Sequence, residues 1–157
     1  GAISKRYLAL VKGRWLTPVQ HIRLPLHKYL TEEGERRVSV ATEGKQAHSI
    51  VRLKTRCENF SLVEVELKTG RTHQIRVHLA HLGFPIAGDD KYGDFTLNRT
   101  LRKAGLKRMF LHAASLSLRH PVSAEVLAEE APLPAELRDF LSRIDGNEKK
   151  DRQCRSG

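Results

Sequence analysis

The stretch Gly70-Arg71-Thr72-His73-Gln74-Ile75-Arg76-Val77-His78-Leu79 gathers two arginines and two histidines into a few positions. It follows an alternating apolar segment that reads as a strand and leads into one that reads as a helix. Strand-to-helix junctions present backbone N–H groups and hold side chains on rigid elements, which suits an anionic ligand. His73, His78 and His81 also raise metal chemistry, and His78 and His81 are i, i+3 neighbours. No acidic residue or cysteine stands with them in the helix and no HExxH pattern occurs, so no metal is expected. There is no Walker loop, no GxGxxG and no GxSxG, so dinucleotide cofactors and serine-hydrolase chemistry find no support.

The elements around this stretch follow from hydrophobic periodicity. Residues 5–12 read as a strand with Tyr7, Ala9 and Val11 on one face and Leu8 and Leu10 on the other, which predicts an internal position in a sheet. Short strands are expected at 19–24 and 36–42, with Glu33-Gly34-Glu35 as the turn between them. Residues 48–55 and 61–68 predict a hairpin whose second strand sets Val63, Val65 and Leu67 against Glu64 and Glu66. Thr72 is placed as the cap of a helix over 73–82 that stops at Gly83. Ile75, Leu79 and Leu82 form its apolar stripe, with Arg76 at the edge. An ordered loop spans 84–94, a short basic helix 98–104, strands 109–118 and 124–129, and a helix 134–144. Residues 145–157 are polar, and disorder is expected there. The sum is α+β, with a mixed, mostly antiparallel sheet and a few helices in one domain over 1–144.

Composition narrows the partner. The chain of 157 residues carries 28 Lys and Arg against 18 Asp and Glu, a net +10, which favours a polyanion and most simply nucleic acid. No apolar run is long enough to cross a membrane, and no membrane partner is expected. Residues 1–6 hold no apolar signal core, and Cys57 and Cys154 are the only cysteines. A disulfide is therefore not expected, and a reducing, cytoplasmic compartment is.

Four segments together resemble successive motifs of the RluA-type pseudouridine synthases. They are Lys5-Arg6-Tyr7-Leu8-Ala9-Leu10-Val11, Gly70 to His78, Gly83-Phe84-Pro85-Ile86-Ala87-Gly88-Asp89 with Tyr92-Gly93, and Phe110-Leu111-His112-Ala113. The segment Glu33-Gly34-Glu35-Arg36 and the basic insertion at 95–108 are most similar to the subgroup of ribosomal large-subunit synthases C. The resemblance implies isomerisation of uridine in RNA, with large-subunit (23S) ribosomal RNA as partner and no cofactor. It implies that Tyr7 stacks on the target base and that Arg76 pairs with the catalytic Asp. Leu111 would line the uracil pocket, while Arg71, His73 and His112 would support the site or contact phosphate. The HRLD motif that carries the family's catalytic Asp occurs nowhere in these residues; the family places it upstream of Tyr7. The chain thus resembles the C-terminal part of the catalytic domain, without the first half or the small N-terminal RNA-binding domain, and is expected to be inactive alone. The alternatives are a non-catalytic RNA-binding fragment and a basic ribosome-assembly module.

Overall fold

A computed structural model describes residues 2–119, 122–123, 126–148 and 155–156. The chain folds as α+β around one mostly antiparallel sheet, ordered β2-β5-β6-β1-β7-β8. These strands are β1 (Ala2–Lys12), β2 (Val19–Arg23), β5 (His48–Arg56), β6 (Phe60–Leu67), β7 (Leu111–Arg119) and β8 (Val126–Glu130). The strand with two apolar faces, β1, lies between β6 and β7, pairing Tyr7 with Val65 and with Ala113. Its alternation splits the core. Ala9 and Val11 join Trp15, Val51, Val63, Val65, Ile75, Leu79 and Ile86 on one face. Leu10 on the other face packs with Phe60, Leu101, Phe110, Leu137 and Phe140.

The helices are α1 (Gln74–His81), α2 (Phe95–Lys103) and α3 (Ala135–Glu148). The first covers one face of the sheet; Leu101 of α2 and Leu137 and Phe140 of α3 cover the other. The boundary expected at 144 falls inside α3, which runs to Glu148. A two-residue strand, β9 (Arg155–Ser156), pairs with Thr55 and Arg56 of β5. The disorder expected at 149–154 and 157 lies outside the described residues.

Three expectations are corrected. The turn at 33–35 does not join the strands at 19–24 and 36–42. It joins β4 (Arg36–Val40) to β3 (Leu26–Leu30), forming a separate two-stranded sheet, while β2 pairs with β5. β3 buries only Leu26 and so carries no alternation to read. Thr72 does not cap α1. His73 occupies the cap position in a left-handed conformation, φ 53°, with no capping side-chain bond, which leaves Thr72 one residue too far out. Cys57 does not keep a free thiol; it is disulfide-bonded. The helix stop at Gly83 is as expected: φ is +92°, and Phe84 N–H donates to Leu79 O at 2.9 Å.

Candidate active site

Helix α1 is wedged between the sheet and the β3–β4 hairpin. Ile75 and Leu79 enter the sheet core, and Val77 packs with Leu26 and Val38 of the hairpin. Each such apolar side chain contributes about 1.5–3 kcal/mol. Polar bonds fix the helix on the side facing β5. His78 is fully buried; Leu24 O lies 2.9 Å from its Nε2 and Ser49 Oγ 2.9 Å from its Nδ1. Burial pushes His78 below the ordinary imidazole value, although the Leu24 carbonyl acts the other way. A neutral ring then donates from Nε2 and accepts the Ser49 hydroxyl at Nδ1. One turn earlier, Gln74 Nε2 donates to Ser49 Oγ and to His48 O, and Gln74 Oε1 accepts from Arg71 N–H.

Arg76 leaves the opposite side of α1, 200° round from both Gln74 and His78 in helical geometry. Its Nε donates to Asp89 Oδ2 at 2.9 Å and its Nη2 to Asp89 Oδ1 at 2.7 Å. This is a bidentate pair with a carboxylate only 1% exposed. The backbone N–H groups of Lys91 and Tyr92 also donate to Asp89 Oδ1. Burial raises the Asp89 pKa, but the hydrogen bonds from Arg76, Lys91 and Tyr92 outweigh it and hold the carboxyl below its ordinary value. Asp90 adds a longer contact at 3.5 Å, and the Tyr92 ring lies 5.1 Å from the guanidinium carbon. Nη1 has no acceptor among the described residues. The guanidinium is therefore anchored along one edge and keeps donors for a second anion.

Asp89 itself is poorly placed as a nucleophile. It is buried, and its oxygens together accept four N–H groups, so it serves as the orienting acceptor of Arg76. The loop that carries it depends on Gly88, at φ +83°. A Cβ there would collide with the Arg108 carbonyl.

Tyr92 ties three pieces together. Its hydroxyl accepts Val38 N–H at 3.0 Å, and His73 Nδ1 lies 2.8 Å away. Burial and the charge of Arg76 push His73 below the ordinary imidazole value. The neutral ring then accepts the Tyr92 proton at Nδ1, leaving its own N–H on Nε2; the tautomer is assigned from this network. His73 lines a cavity of about 590 Å³ with Thr72 and with Lys28, Tyr29, Arg36 and Arg37 of the hairpin.

The other residues expected at the site divide by face. Tyr7 and Leu111 are half-buried against the same cluster as Ile75, the neighbour of Arg76. Leu111 pairs with Ala9 and Ala113 with Tyr7, so the two side chains lie on one face of adjacent strands. His112 pairs with Leu8 on the opposite face, and Ala131 O lies 2.8 Å from its Nε2. It is not brought to the site. Arg71 is exposed, with Nε donating to Gln46 O. Asp89 and Tyr92 are the partners that sequence reasoning left unassigned. Both stood in a recognised motif, but nothing in its spacing linked it to Arg76.

The family model described as RNA pseudouridylate synthase matches residues 1–81. Ribosomal large subunit pseudouridine synthase C of Yersinia pestis is 44% identical over 146 residues, 93% of this chain and 46% of that protein. The protein of the same description from Escherichia coli K12 is 44% identical over 144 residues, 90% of this chain and 45% of its own length. The chain therefore spans under half the length of these relatives. Among solved structures, human RNA Pseudouridylate Synthase Domain Containing 1 superposes with a TM-score of 0.69 at 25% identity, covering 96% of this chain and 67% of that one.

Proposed function

The chain belongs to the RNA pseudouridylate synthase family, and on that premise we propose that the protein carrying it isomerises uridine to pseudouridine in large-subunit ribosomal RNA. The observation that carries this reading is Arg76, fixed on one edge by Asp89 with Nη1 left open, on the helix whose Ile75 packs in the same apolar cluster as Tyr7 and Leu111. An aspartate from outside these 157 residues takes the open edge, and the guanidinium keeps it ionised and aimed. The target uracil, flipped from its stack, lies against the face of Tyr7 with Leu111 beside it. The bond from ribose carbon 1′ to N1 breaks, the base turns, carbon 1′ bonds to carbon 5, the proton on carbon 5 is lost to solvent and N1 takes up one. His73 and Arg71 contact backbone phosphate. No proton transfer is assigned to His112, which lies on the other face of the sheet.

The test is tritium release from RNA labelled at carbon 5 of uridine, using the intact protein. Arg76→Ala should lower kcat by about 100-fold or more, as removal of an oriented charge does. Arg76→Lys, which keeps the charge but not the bidentate fork, should recover part of it. Tyr7→Leu keeps apolar volume without an aromatic face and should weaken substrate binding about 10-fold. Wild-type turnover in Arg76→Ala would remove the assigned role. Residues 1–157 alone should bind the RNA without releasing tritium; release would show that they contain the nucleophile.

A further inference from the structure

Two groups of cations among the described residues contrast. On one sheet face Arg6, Arg52, Lys54 and Lys68 all pair with Glu64 or Glu66, at 2.9–3.8 Å. The segment 95–108 is different. It holds Arg99, Arg102, Lys103, Lys107 and Arg108 and no acidic residue. All five are exposed, and none forms an ion pair among the described residues.

Their arrangement is not a scatter. Phe95, Arg99 and Arg102 stand at i, i+4 and i+7, which places them on one face of α2. With Lys107 and Arg108 from the segment after the helix, they line a cavity of about 340 Å³. Phe95 is 51% exposed, a large aromatic left in solvent at the edge of a basic cavity. The cavity is also lined by Gly88 and Asp90, the residues on either side of Asp89. The helix is fixed firmly at its start: Asp94 accepts Leu97 N–H at 3.0 Å and pairs with Lys12 at 2.7 Å.

We propose that this cavity is a second RNA-binding site, holding backbone phosphates of the substrate strand on Arg99, Arg102 and Arg108 and an unstacked base on Phe95. The cavity sets Arg99, Arg102, Lys107 and Arg108 against one carboxylate, Asp90; such an excess of cations around a concave surface attracts polyanions without regard to sequence, and an exposed aromatic adds a sequence-tolerant platform. A strand held here runs past the loop that clamps Arg76, so the site would set how far along the RNA the flipped uridine lies. The proposal rests on the reading that the protein acts on RNA.

The experiment measures binding of a labelled large-subunit rRNA stem-loop to the intact protein by anisotropy, across a salt series, with tritium release measured in parallel. Circular dichroism checks that the variants, all at exposed positions, keep the fold. Replacing Arg99, Arg102 and Arg108 together by Ala should reduce the slope of log K against log salt by about 2, at roughly 0.7 per phosphate on a single strand. Phe95→Ala should weaken binding about 10-fold with little change in slope. In turnover, both should raise KM and leave kcat unchanged. Lys54→Ala with Lys68→Ala, which removes two paired cations, should change neither the slope nor KM. An unchanged slope and KM in the triple variant, with wild-type tritium release, would overturn this site while leaving the isomerase reading intact. A reduced slope in a protein that releases no tritium would support the site and overturn the isomerase reading instead.

Discussion

Replacing Asp89 by Ala tests the link between fold and site most directly. The substitution removes the acceptor of Arg76 Nε and Nη2 and of the Lys91 and Tyr92 N–H groups. Breaking a buried ion pair by deleting one partner costs about 3–5 kcal/mol. Arg76 keeps 13% exposure and Asp90 lies 3.5 Å away, so part of its charge is still compensated. The lower end, about 3 kcal/mol, is expected, which for a chain this size lowers Tm by about 6–12 °C. Asn at 89 keeps an acceptor and should cost about 1–2 kcal/mol. Urea unfolding followed by the fluorescence of the single, buried Trp15 measures both. The cycle with Arg76→Ala should give a coupling above about 1 kcal/mol, because the two side chains act as a unit. The sign with pH is fixed as well. The Asp89 pKa is depressed in the fold, so its contribution is full above the unfolded value near ~4 and is lost as pH falls through the folded one. A loss below about 1 kcal/mol for Asp89→Ala, or additive effects in the cycle, would refute the claim that this pair anchors Arg76.

Two further outcomes are expected. His48, His73 and His78 are all held below the ordinary imidazole value, chiefly by burial, so the unfolded chain binds more protons than the folded one below pH ~6.5. The urea midpoint should fall between pH 7.5 and pH 5.5; a rise would contradict the neutral assignments. His73→Gly and His73→Ala both lose the Tyr92 bond, but only Ala keeps a Cβ in the left-handed region, so Gly should be the more stable by about 1 kcal/mol. Equal unfolding midpoints would show that this backbone carries no strain.

What could be read from the sequence was what periodicity encodes. The two apolar faces of β1 marked it as internal, and the stripe of Ile75 and Leu79 located α1 and its buried side. The alternation of Val63 and Val65 with Glu64 and Glu66 separated a core face from a charged one. The misses share a physical cause. β3 is four-fifths exposed, so burial did not shape its sequence. The start of α1 is set by a left-handed His73 held by a tyrosine nineteen residues away, which overrides the local preference for a Thr cap. Asp89 is joined to Arg76 by a loop folded back on the helix, and no local pattern records that closure. For the site, the family motif supplied Tyr7 and Arg76 as expectations, and the alternation of β7 puts His112 and Leu111 on opposite faces.

The polar bonds beneath α1 set a tolerance. A helix of eight residues resting only on apolar contacts can roll, since such contacts are non-directional. A roll of about 20° at a radius of ~6 Å carries a side chain tip through ~2 Å. A displacement of only ~1 Å can cost about two orders of magnitude in rate. Gln74 and His78 sit one turn apart on the β5 side, each with hydrogen-bond partners at 3.0 Å or less, and they act as two dowels against that roll. The aim of Arg76 is thus machined from the far side of the helix, by two buried polar residues.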